Sequence, residues 1–100
     1  MDVDTLERHD LPVVMVMGDD AAWGLERGPM QMLLGDDVVT YLSSIASYDG
    51  VVRALGGGGE TVTDPRDIGA VDRAYAADVP YLVNVVTDIG ATYPRATFGV

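Results

Sequence analysis

Neither cysteine nor lysine occurs in this chain of 100 residues, and histidine, tryptophan and phenylalanine occur once each. The missing cysteine excludes disulfides, thiolate nucleophiles and zinc-finger sites. All six basic residues are arginine, against 16 carboxylates, for a net charge of −10. Such a surface repels nucleic-acid phosphates, so neither DNA nor RNA is an expected partner. It also excludes a polybasic membrane anchor. No apolar run approaches the roughly 20 residues of a membrane span. The opening Met1-Asp2-Val3-Asp4 is acidic where a signal peptide is basic, so the expected location is cytoplasmic. A Walker-type phosphate loop and a phosphoacceptor receiver domain both need a lysine, and both are excluded.

What is present is a core-forming composition, 48% hydrophobic with a positive mean hydropathy. A single small domain is expected, one that buries only roughly 60–70% of its unfolded surface. The run Leu11-Pro12-Val13-Val14-Met15-Val16-Met17 ends abruptly in Gly18-Asp19-Asp20-Ala21-Ala22-Trp23-Gly24. An unbroken aliphatic run reads as a buried parallel strand. In open α/β sheets ligands bind just beyond the carboxyl ends of such strands. Asp19 and Asp20 fall at that edge, with hard oxygens suited to Mg²⁺. Two unit charges about 4 Å apart repel by roughly 4 kcal/mol at an effective dielectric near 20. An anionic ligand of this acidic chain therefore calls for a bridging cation.

Around that strand the spacing predicts a helix over the first nine residues, with Val3 and Leu6 on one face and His9 at its end, where it favours the macrodipole. Strand one covers about 13–17. A long loop follows to about Ser47, broken at Gly24, Gly28-Pro29 and Gly35, with one short helix around Pro29 to Leu34. A helix over 48–55 turns Tyr48, Val51, Val52 and Leu55 to one side and stops at Gly56 to Gly59. A strand over 60–63 follows. Asp64 then caps a helix with Pro65 at its first position, burying Ile68, Val71, Ala74 and Tyr75. Pro80 opens the last strand, 81–87, in which Asn84 reads as a satisfied buried amide of a central strand. Met15, Met17, Met30 and Met32 read as core or interface filler. From Asp88 the tail is expected to be loosely held. Strands separated by helices give an α/β fold: a three-layer, mostly parallel sheet with flanking helices.

These residues resemble one family. His9-Asp10-Leu11-Pro12-Val13, the strand, Gly18 to Gly24, Tyr48-Asp49, Arg53-Ala54-Leu55-Gly56-Gly57, Glu60, Asp64-Pro65 and Pro80 to Val85 resemble, in order, the carboxy-terminal cofactor domain of thiamine-diphosphate-dependent enzymes, in the acetolactate-synthase-like branch. The resemblance implies thiamine diphosphate and Mg²⁺ as cofactors, with decarboxylation of a 2-oxo acid and carboligation as the reaction. It implies Asp19 and the carbonyl of Ala21 as metal ligands, with Asp20, Ala22, Trp23 and Gly24 along the cofactor. Asp19 stands where the family carries Asn, and the family's upstream Gly-Asp-Gly is not in the chain. The resemblance therefore implies the carboxy-terminal part of a cofactor domain, inactive alone. The carboxylate that activates the cofactor ring comes in the family from an amino-terminal domain, so no catalytic residue is assigned. The partner expected is a second copy or a full-length homologue docked on the open sheet edge.

Overall fold

The element order is α1 (Asp2–Arg8), β1 (Val14–Asp19), α2 (Gly24–Leu34), α3 (Tyr48–Ala54), β2 (Gly58–Val62), α4 (Gly69–Ala76) and β3 (Tyr81–Val86), in a computed structural model that describes residues 2–42 and 46–90. These residues fall into two compact units, 2–19 with 47–86, and 20–46 with 87–90.

The first unit is an open parallel sheet in the order β1-β3-β2, so the fold is α/β as the alternation of elements implies. β3 takes the centre because its residues Leu82, Val83 and Asn84 bury fully, which only a strand covered on both faces permits. β1 lies at an edge, and there the sequence reading needs correction. Its aliphatic run suggested a buried strand, yet Val16 is 62% exposed. Aliphatic composition alone does not separate an edge strand from a central one.

Helix α4 covers one face of the sheet, packing Ala70 and Ala74 on Val62 and Val83, with Val14, Tyr81 and Val85 around them. Side chains alternate along β2, so Gly59 and Thr61 face the other side, where α3 brings Asp49 and Val52. The expectation that Ile68, Val71 and Tyr75 bury is overturned, since Ile68 is 77% and Tyr75 71% exposed. Small alanines let the helix approach the sheet, and the larger residues beside them are left outward. The helix also begins at Gly69 rather than at Pro65. Asp64 closes a turn instead, accepting the Arg66 amide at 2.9 Å on its side chain and the Asp67 amide at 3.0 Å on its carbonyl.

The four glycines divide their work. Gly56, at φ 104°, ends α3 as expected, but Gly58 and Gly59 belong to β2. A Cβ on Gly59 would stand 2.9 Å from that of Asp49, so glycine is what lets α3 lie against the strand.

In the second unit the expected loop holds a longer helix than its breakers suggested. α2 begins at Gly24, runs through Gly28 and Pro29, and stops where Gly35 adopts φ 74° and returns its N–H to the Gln31 carbonyl at 3.0 Å. Residues 43–45 of that stretch, and 91–100 of the tail, lie outside the described residues. Among the described residues no helix is long and apolar enough to cross a membrane.

Candidate functional site

β1 and β3 run parallel, and their last paired residues are Asp19 and Val86 at the carboxyl rim of the sheet. Asp19 is thus the final strand residue rather than the first loop residue. It is 3% exposed. Two residues before it, Met17 pairs with Asn84, which is completely buried. By strand alternation Asp19, Met17 and Asn84 share the face on which α3 packs.

The other expected site residues begin the second unit. Asp20 accepts the Ala22 amide on Oδ1 at 3.1 Å, an Asx turn that reverses the chain directly after the strand. Ala21 makes that reversal possible with a positive φ of 57°. Its carbonyl accepts the Leu42 amide at 2.7 Å, and the Thr40 carbonyl accepts the Trp23 amide at 2.7 Å. These bonds flank an antiparallel bridge between Ala22 and Tyr41. The Ala22 carbonyl, by contrast, accepts no backbone hydrogen bond among the described residues.

Trp23 stands at the N-cap of α2, and no side chain caps the helix there. The first amides of a helix have no partner within it and carry its positive end. Gly24 is the first helical residue, and a Cβ on it would lie 3.8 Å from Asp20 Oδ2. The Asp20 carboxylate therefore lies over the helix start. Trp23 is 59% exposed, so it does not serve as core packing.

Arg27, one turn into the helix, holds the returning segment. It donates to Tyr41 Oη at 3.0 Å and to the Ile89 carbonyl at 3.3 Å, and pairs with Asp37 at 3.3 Å. Its guanidinium also lies 5.4 Å from the Tyr41 ring centre. The Tyr41 hydroxyl, and the charges of Asp37 and Asp20, hold the guanidinium's pKa above its usual value.

A second polar cluster sits under α3 in the first unit. Asp49, 4% exposed, accepts Ser47 Oγ at 2.9 Å and Thr61 Oγ1 at 2.8 Å, and is paired with Arg53. Burial pushes its carboxyl up, but the bonds from Thr61, Ser47 and Arg53 prevail and bring it down to about 2. Its spacing of four from Arg53 is a helical ion-pair signal that the sequence reading did not use. With every oxygen engaged, it is a staple rather than a ligand site.

Among the described residues no three Asp, Glu or His side chains gather to form a metal cage. Mg²⁺ does not need one, because it takes one or two carboxylates and fills its octahedron with phosphate oxygens and water. A carboxylate over an uncapped helix N-terminus, beside an open carbonyl, is a donor set that fits a cation carrying a phosphorylated ligand.

Comparison with known proteins bears on this geometry. The family described as "Thiamine pyrophosphate enzyme, C-terminal TPP binding domain" matches residues 1–85. A probable acetolactate synthase of Mycobacterium bovis is 49% identical over 96 residues, covering 95% of this chain and 18% of that protein. An acetolactate synthase large subunit of Mycobacterium tuberculosis matches to the same extent. A 2-hydroxyacyl-CoA lyase 2 of Caenorhabditis elegans is 34% identical over 70 residues, covering 64% of this chain and 10% of that protein. The chain spans less than a fifth of the length of these relatives.

Proposed function

Because the chain belongs to the thiamine pyrophosphate enzymes, as a C-terminal TPP-binding domain of the acetolactate-synthase-like kind, we propose that residues 19–24 hold the Mg²⁺–pyrophosphate end of that cofactor. When bound, the cofactor supplies the carbon nucleophile for decarboxylation of a 2-oxo acid and for carboligation. The observation that carries the reading is the Asx turn that delivers the Asp20 carboxylate onto the uncapped start of α2. Two anions at one helix end repel unless a divalent cation lies between them, and the helix amides receive phosphate oxygens.

The residues that donate to the cation are part of the proposal. The resemblance named Asp19 and the Ala21 carbonyl. The local bonding favours the donors one residue later, because one lone pair of the Ala21 carbonyl already accepts from Leu42, while the Ala22 carbonyl accepts no backbone hydrogen bond among the described residues. Asp20 and Ala22 are then the ligands, and buried Asp19 is the last residue of β1. Trp23 and Gly24 border the phosphates, glycine allowing close approach.

These residues supply binding rather than turnover. The carboxylate that activates the cofactor ring belongs, in the resemblance, to another domain, and none of these residues takes that role. Titration calorimetry of the purified chain with thiamine pyrophosphate tests the reading. Saturable binding that disappears when Mg²⁺ is removed is the expected result; no heat at millimolar ligand overturns it. A second reading, docking on a full-length homologue, draws on edge strand β1, with Val16 62% exposed. Light scattering of a mixture with such a homologue decides it, a stable complex supporting docking and unchanged masses rejecting it.

A further inference from the structure

Thr40 is a polar side chain that neither the fold nor the reading above has used. It is 3% exposed, and its hydroxyl Oγ1 has no hydrogen-bond partner among the described residues. A buried polar atom without a partner costs stability, and native structures keep few of them. Those kept are commonly completed by something outside the chain.

The place of Thr40 narrows what that is. The bridge between Ala22 and Tyr41 sets Thr40 opposite Trp23, and the Thr40 carbonyl accepts the Trp23 amide at 2.7 Å. Trp23 is the N-cap of α2, which no side chain caps. The backbone of Thr40 is therefore bonded directly to the helix end that the proposed function gives to phosphate. A hydroxyl there is a donor with two free lone pairs, suited to an anionic oxygen or to a water on the cation. An apolar ligand would have no use for it.

We propose that Thr40 is a positioning residue of the pyrophosphate site, its hydroxyl donating to the phosphate oxygens or accepting from a cation-bound water when the Mg²⁺ complex binds. This rests on the reading of residues 19–24 as the cofactor's anchor. It adds a group from the returning strand, remote in sequence from that segment.

Two variants of the full chain test it, Thr40→Val, which keeps the shape and removes the hydroxyl, and Thr40→Ser, which keeps the hydroxyl. Calorimetry with Mg²⁺ and thiamine pyrophosphate, and separately with Mg²⁺ and inorganic pyrophosphate, gives affinity. Thermal unfolding without ligand gives the intrinsic effect. The expected result is that Thr40→Val weakens both ligands about tenfold. Thr40→Ser stays within about twofold, and the ligand-free Tm of Thr40→Val is equal to the parent's or higher. Parent-like affinity in Thr40→Val overturns the Thr40 role while leaving the cofactor reading standing. A ligand-free Tm that falls by several degrees also overturns it, since the hydroxyl then has an internal partner. A parent chain that binds neither probe overturns the cofactor reading and this inference with it.

Discussion

Thr61 Oγ1 on β2 donates to Asp49 Oδ1 on α3 at 2.8 Å, fastening the helix to an edge strand through a carboxylate that is almost wholly buried. Ser47 and Arg53 complete the shell. A buried charge is tolerated only when so surrounded.

The Asp49 carboxyl titrates at about 2 rather than at its ordinary 3.8, because its three partners outweigh burial. A carboxyl lowered in the folded state contributes stability that is complete above its unfolded value. That contribution, about 2 kcal/mol for this displacement, is lost as pH falls from near 4 toward 2. Denaturant titrations across that range should show the loss in the parent chain, and a flatter profile with lower stability at pH 7 in Asp49→Asn. A variant whose stability falls with acid as steeply as the parent's would remove Asp49 as the cause.

Glycine substitutions should separate two roles that look alike in sequence. A Cβ on Gly57 would collide with the Pro80 carbonyl oxygen and come within 2.8 Å of Val52 Cγ1. That carbonyl accepts the Gly58 amide at 2.8 Å and cannot retreat without losing the bond. Gly57→Ala should therefore cost about 1–3 kcal/mol. Gly28 on α2 has open space around its Cβ position, so Gly28→Ala should stabilise by about 0.5–1 kcal/mol through helix propensity. Chemical denaturation of both variants checks the opposite signs.

Those signs mark what the sequence could and could not reveal. The alternation of apolar runs with helical spacing was enough for a parallel α/β sheet with β3 central and β1 ending at the acidic pair. Composition did not reveal which glycines stop a helix and which lie in a strand. Gly58 and Gly59 are required by the closeness of Tyr81 and Asp49, which come from distant parts of the chain. Periodicity identified only part of α4's buried face: Ala74 buries as expected, but Ala70 joins it while Ile68 and Tyr75 stay outside, because small residues let the helix approach the sheet. For the candidate site, the sequence pointed to the segment 19–24. Arg27, Tyr41 and Thr40 were not, since only the returning strand brings the latter two alongside.

The donors proposed for the cation are separable by substitution. Asp20→Ala should weaken Mg²⁺-dependent binding of thiamine pyrophosphate by at least about tenfold while leaving the circular dichroism spectrum unchanged, because Asp20 is only half-buried. Asp19→Ala removes the oxygens of a side chain that is 3% exposed, and should bind within a few-fold of the parent. Calorimetry with and without Mg²⁺ distinguishes them. Reversed effects would return the ligand role to Asp19 and the Ala21 carbonyl.

Arg27 should govern how firmly the returning strand is held. One guanidinium reaches Tyr41 Oη, Asp37 and the Ile89 carbonyl, and stacks toward the Tyr41 ring. A lysine cannot reproduce that fork, since its single ammonium lacks the planar set of donors. In Arg27→Lys the Trp23–Thr40 and Leu42–Ala21 backbone bonds, each 2.7 Å in the parent, lose the clamp beside them. Amide exchange at Trp23 and Leu42 should therefore quicken about tenfold, while exchange at Val83 in the middle of β3 stays as it was. The exchange rates measured residue by residue by NMR test this directly. An equal acceleration at Val83 would mean that Arg27 acts on global stability rather than on the segment it touches.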